Sequence, residues 1–188
     1  ATVQPPPPPL PRGGGGVVVY EWTCGGTRLE AHQHLPVVGG ATDIEVWHTH
    51  PHQYLAAASP GGLSVWRWDA SGHVFAPAGG VPPGVPATSV RAFGGFLALG
   101  RAAPLPQGGF GVYSWDGRGL AEVQNVTGGG DTLQLEHARI AGAFGDRDLL
   151  VRSHKATTGS GDVTLSFYLW VGGIGFLPFE DSDVPEAW

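Results

Sequence analysis

Four stretches of the chain share one pattern: VVYEW (18–22), SVWRW (64–68), GVYSW (111–115) and SFYLW (166–170). Each reads apolar, aromatic, variable, tryptophan. Trp22, Trp68, Trp115 and Trp170 stand 46, 47 and 55 residues apart. Self-similarity at a regular period constrains a fold more than any single element does, because every unit must do the same structural job.

The features downstream recur in the same order. A turn follows each tryptophan (TCGGT, DASGH, DGRG, VGG), and Leu29, Phe75, Leu120 or Phe176 then opens a second strand. A Pro/Gly-rich link ends at Ala41, Ala87 and Ala187; in the third unit a longer link, NVTGGGDTLQLEH, is expected to end at Ala138. After the alanine comes a third strand pattern, ATDIEVW (41–47), ATSVRAF (87–93) and ARIAGAF (138–144), then a fourth apolar run, YLAAAS, FLALG or DLLVRS. Four short β segments in about 46 residues are the strand count and period of a propeller blade. The expected fold is therefore all-β, with blades of four antiparallel strands in units 17–62, 63–109, 110–162 and 163–188. The last unit stops at VPEAW, so three full repeats and a partial fourth are expected to belong to a larger propeller.

A blade buries its faces only against its neighbours. Trp22, Trp68, Trp115 and Trp170 are accordingly expected to pack between blades, with Trp68 and Trp115 mostly buried. Trp66 and Trp68, two residues apart on a strand, share one face. Asp69–Gly72 makes the hairpin turn to Val74 and Phe75.

The bulk properties narrow the function. Ten Lys and Arg residues are scattered against sixteen Asp and Glu, for a net charge of −6. A nucleic-acid binder clusters its basic residues, so no nucleic-acid partner is expected. No apolar run approaches the length of a membrane span, so no membrane insertion is expected. There is no Gly-x-Ser-x-Gly elbow, no phosphate-cradling glycine loop leading into lysine and no His-Glu-x-x-His. The chain is read as a non-enzyme without cofactors.

WD40 and kelch repeats fit poorly, since the upstream Gly-His of the one and the glycine-pair register of the other are missing. The units resemble the epilepsy-associated repeat (EAR, or EPTP): Val-Tyr-x-Trp, turn, Phe-x-x-x-Gln, Pro-Gly-Ala, a β-branched residue, Phe, then Phe-Leu-x-x-Ala. VYEWTCGGTRLEAHQ…GGATDIEVW…YLAAAS and VWRWDASGHVFAP…VPATSVRAF…FLALG follow that order, over residues 17–188. The glutamine is mostly lost. The family includes leucine-rich glioma-inactivated proteins and a thrombospondin-N-like protein. The resemblance implies that the chain is part of a larger seven-bladed propeller, secreted or in an ectodomain, that binds a cell-surface receptor or extracellular matrix protein through its loops. The alternative is a lectin-like propeller that stacks exposed Trp or Tyr on sugars.

Other features stand outside the repeat. Residues 1–16, with five consecutive prolines and then glycines, read as a linker of polyproline II and flexible chain. Asn125 heads the NVT sequon and is expected in an exposed loop of the third link. His48, His50 and His52 alternate in HTHPH, a weak metal pattern with no Asp, Glu or Cys at ligand spacing. His32 and His34 share a strand face. Cys24, the single cysteine, sits in a turn near them and forms no internal disulfide framework. An incomplete propeller would also expose strand edges and apolar faces, a route to self-association.

Overall fold

The computed structural model describes residues 15–23, 25–81, 86–102, 108–141, 145–155 and 163–179. The polyproline stretch, Cys24, Phe144, Ala187 and the VPEAW end lie outside them. Among the described residues there are strands and turns and no helix. The first sheet pairs β1 (Gly16–Thr23) with β2 (Arg28–Pro36). The second runs β3 (Asp43–Thr49), β4 (His52–Ser59), β5 (Gly62–Asp69), β6 (Val74–Val81). The third runs β7 (Ala87–Phe93), β8 (Phe96–Arg101), β9 (Gly109–Trp115), β10 (Leu120–Thr127). The fourth runs β11 (Thr132–Ile140), β12 (Arg147–Lys155), β13 (Val163–Val171), β14 (Gly175–Phe179). All pairing is antiparallel between chain neighbours, as short connections favour. Gly94 and Gly95, with φ of +46° and +88°, give β7 and β8 the two-residue turn whose twist matches the strands.

The sheets stack in order, and three apolar layers lie between them. Val17, Leu35 and Val37 of the first sheet side meet Leu55, Ala57 and Trp66 of the second. The opposite face of the second sheet, with Tyr54, Ala56, Ala58, Leu63 and Val65, meets Val90, Leu97, Leu99, Tyr113 and Trp115 of the third. Phe93, Ala98, Phe110 and Val112 then meet Leu135, Leu150, Tyr168 and Phe176 of the fourth. Strand alternation explains the sharing. Tyr54, Ala56 and Ala58 point one way, Leu55 and Ala57 the other, so β4 is apolar on both faces, as a strand between two layers must be.

Polar contacts repeat across these layers. The Gln33 side chain on β2 donates from Nε2 to the Phe75 carbonyl on β6 at 2.9 Å, and the Phe75 N–H donates back to Oε1 at 2.8 Å. Gln124 on β10 does the same to Phe176 on β14, at 2.8 and 2.7 Å. Between these, β6 carries Gly79 at the matching position, and a Cβ there would lie 3.4 Å from the Trp115 ring. That is ordinary contact distance, so the ring stands against the strand where the neighbouring sheets carry a glutamine. At the opposite edge of the sheets, Asp43 Oδ2 accepts from Ser89 Oγ, the Val90 N–H and Arg91 Nη1. One sheet further on, Ser89 Oγ accepts from the Leu135 N–H at 3.0 Å. Arg91 then reaches Glu136.

Several sequence expectations meet a different structure. Each four-stranded sheet combines the last two strands of one sequence unit with the first two of the next, so the sheets straddle units 17–62, 63–109, 110–162 and 163–188. The third Ala-initiated pattern starts not at Ala138 but at Thr132: Leu135 lies where Val90 does, and Ala138 falls inside β11. Thr132 stands in for the alanine because its hydroxyl is used. It donates to the Gly109 carbonyl at 2.6 Å and accepts from buried Arg152 at 2.8 Å. Trp115 is buried, but Trp68 is only half-buried, its ring 5.1 Å from Phe75. Trp66, on the same face, is the one that fills the layer. Trp170 is half-buried among Phe93, Phe96 and Phe176. Trp22 is 62% exposed, because it faces away from the second sheet and no described element lies beyond it.

Candidate functional site

Antiparallel order places the β3–β4 and β5–β6 turns at one end of the second sheet and the β9–β10 turn at the corresponding end of the third. Two adjoining clefts open there. The first, about 400 Å³, lies between the sheets and is lined by His50, His52, Tyr54, Arg67, Trp115 and Arg118. The second, about 500 Å³, runs along the second sheet past His48, Gln53, Trp68, Asp69 and Ser71. His52 and Arg67 belong to both. The floor of the first cleft is aromatic: Tyr54 stacks on Trp47 at 5.1 Å and meets Trp115 edge-on at 5.4 Å.

The charges at this end are not equivalent. Asp69 Oδ1 accepts from the Ser71 hydroxyl and N–H, at 2.7 and 3.0 Å. Asp116 Oδ1 accepts from the N–H groups of Arg118 and Gly119, both at 2.8 Å. These bonds hold both carboxyls below the usual aspartate range: for Asp69 through Ser71, for Asp116 through its two backbone donors. Each carboxylate is thus committed to its own turn. Among the described residues, no carboxylate lies within ion-pair distance of Arg67 or Arg118. The cleft offers two guanidinium groups, two imidazoles and an aromatic floor, which suits carboxylate-bearing ligand groups.

The expected site residues fall in different places. His48, His50 and His52 lie at the β3–β4 turn, with the His48 and His50 rings 6.2 Å apart and edge-on, and His52 against Tyr54. Among the described residues no three His, Cys, Asp or Glu side chains converge as a metal site. His32 bonds the His73 carbonyl and lies 3.1 Å from Glu21. Asn125 is exposed but sits on β10, an edge strand, not in a loop. Its Oδ1 accepts from Arg101 Nη1 at 2.8 Å, in a cluster where Arg101 also donates to Tyr113 and Glu122.

Arg67 and Arg118 were not singled out by sequence. Arg67 occupies the variable position of the aromatic-x-Trp pattern, where the other units carry Glu21, Ser114 and Leu169. The signal was available: the position that differs between repeats is the one free to acquire a site.

No family model matches the chain, and no curated protein matches it.

Proposed function

We propose that the chain is part of a β-propeller of epilepsy-associated-type repeats and acts outside the cell as a protein-binding module. In this reading the stacked sheets are a rigid scaffold, and the partner, a cell-surface or matrix protein, docks on the turns at the cleft end. The observation that carries the proposal is the pair Arg67 and Arg118. Two cations over an aromatic floor, beside carboxylates already spent on their own turns, form a surface with unused binding capacity. A binding role needs no more than this.

One observation favours the second reading, carbohydrate binding. The half-buried Trp68 ring lies in the second cleft with Asp69, Ser71 and Gln53, an aromatic platform ringed by hydrogen-bonding groups. Binding of the purified chain to cultured cells separates the two. Loss of binding after surface proteolysis, with R67A/R118A also failing to bind, supports a protein partner. Binding that survives proteolysis, falls after glycan removal and depends on Trp68 supports the sugar reading. Wild-type-level binding by both R67A/R118A and W68A overturns the cleft end as the site.

A further inference from the structure

We propose, building on the protein-binding reading, that the cleft between the second and third sheets is a socket for one carboxylate: an Asp or Glu side chain of the partner, met at the floor by the Tyr54 hydroxyl. Three observations carry this. The first is a comparison within the chain. The next layer, between the third and fourth sheets, has the same frame. Tyr54 pairs across from Arg67, and Phe96 across from Ser114. Trp115 packs on Trp47 and Tyr54 as Trp170 packs on Phe93 and Phe96. Three residues beyond these tryptophans stand Arg118 and Gly173. Packing therefore asks for neither a cation nor a ring hydroxyl here, since Phe96, Ser114 and Gly173 serve the one layer where Tyr54, Arg67 and Arg118 serve the other. The hairpin above differs too. Six residues separate Trp47 from Tyr54, but two separate Phe93 from Phe96. β3 and β4 thus run two residue pairs further and bring His50 and His52 to the cleft.

The second is an unused donor. Tyr54 is 2% exposed, yet its hydroxyl has no hydrogen-bond partner among the described residues. A buried phenol ordinarily finds one. The hydroxyl reaches the β9–β10 turn, where a Cβ on Gly117 would lie 3.6 Å from it, and both residues line the cleft. An acceptor carried in by a ligand would supply the missing partner.

The third is charge. Arg67, Arg118 and Asp116 line the cleft, and the Asp116 carboxylate is held by the N–H groups of Arg118 and Gly119. Two guanidinium groups against one fixed carboxylate leave a single positive charge. One added carboxylate balances it and can accept from both arginines. A phosphate dianion overshoots it. The rings decide against an acidic sugar: Tyr54 and Trp115 are both buried, so neither offers this cleft an open face for a sugar to stack on.

The probe is a capped pentapeptide, Gly-Gly-Glu-Gly-Gly, titrated into the nitrogen-labelled full chain. Its reporter is the indole N–H of Trp115, which is buried without a partner in the same floor. A saturable shift of that resonance is expected. The pentapeptide with glutamine for glutamate is expected to bind at least roughly tenfold more weakly, having lost the charge that both arginines bond. Y54F gives this layer the ring that Phe96 gives the next, so it is expected to melt as wild type does while binding the glutamate peptide roughly tenfold more weakly. R67S/R118G, with the residues found at Ser114 and Gly173, is expected to show no shift. Equal affinity for the glutamate and glutamine peptides overturns the proposal, and so does undiminished affinity in Y54F. Tighter binding of glucuronate, or of the phosphoserine pentapeptide, also overturns it and makes an acidic sugar or a dianion the occupant. Any of these results, with R67A/R118A still failing to bind cells, sinks the carboxylate socket alone. Wild-type-level cell binding by R67A/R118A sinks the docking reading and the socket together.

Discussion

Replacing Gln124 with alanine removes both hydrogen bonds that tie β10 to β14. The partner, Phe176, is 1% exposed, so its N–H and carbonyl gain no water in exchange. A net hydrogen bond contributes about 1 kcal/mol, and a buried group left unpaired costs about 1–3 kcal/mol. Together these put Gln124→Ala at roughly 2–4 kcal/mol, or a fall of about 4–16 °C in a chain of this length. The same change at Gln33 should cost only about 1 kcal/mol, because Phe75 is half-buried and water can replace the side chain. Gln124→Glu sharpens the test. Its carboxylate still accepts from the Phe176 N–H but faces the Phe176 carbonyl with no proton to give. Its folded pKa is therefore raised, so its stabilising contribution is present below the usual glutamate value and lost as pH rises through the raised one. Thermal melts at neutral and acid pH, with hydrogen exchange of β14, read all three. A Gln124→Ala protein that melts within a degree of wild type, or a larger loss at Gln33, would refute the reasoning.

Trp66→Ala should destabilise by about 3–5 kcal/mol, as a buried ring does, and Trp68→Ala by clearly less; paired denaturant titrations check the order. Arg152, 2% exposed, donates to Thr132 Oγ1 and to the carbonyls of Gly128 and Gly130. Its replacement by alanine should cost about 3 kcal/mol and loosen the β10–β11 connection, read as faster exchange at Gly130. The bond from Arg91 holds Glu136 below its ordinary value of 4.5, so that contribution is present above this value and is lost as pH falls through the lowered one. Burial raises Glu45 above the same value, so its contribution has the opposite sign, present at low pH and lost as pH rises. Melts of E136Q and E45Q from about pH 3 to 6 should therefore deviate from wild type in opposite directions.

The strands were legible because each carries its own punctuation. The aromatic-x-Trp segments became β1, β5, β9 and β13, and the glycine-rich turns after them became the hairpins. Sheet membership was not legible, because a period fixes the spacing of strands and not the point at which one sheet ends. Thr132 hid the start of β11, since a larger residue with a buried hydrogen-bonding task stands where Ala41 and Ala87 mark the other units. The scattered glutamine read as decay of a motif. In the structure Gln33 and Gln124 each bond the next sheet, while Gly79, at the position between them, stands against the Trp115 ring, a contact between residues of different units that local pattern cannot reveal. At the cleft end, the histidines were visible as a loop cluster. The commitment of Asp69 and Asp116 to their own turns, which leaves the arginines unpaired, needed coordinates.

The offset between repeat and sheet has a bearing on how such a chain can lengthen or shorten. A cut made at the unit boundaries falls between the second and third strands of a sheet. Removing residues 63–109 would join β4 to β9, two strands that each expect a hydrogen-bonded partner on the side where the other arrives. The surviving halves would make one complete four-stranded sheet, and the excised pair of halves would take nothing unmatched with it. Whole-unit duplication or loss is thus self-repairing, and so is excision of one intact sheet: without residues 41–86, Trp22 and Trp115 stand 47 residues apart, the spacing of Trp68 and Trp115. Recombination between any two points one period apart conserves the sheets, because both cuts divide them at equivalent places.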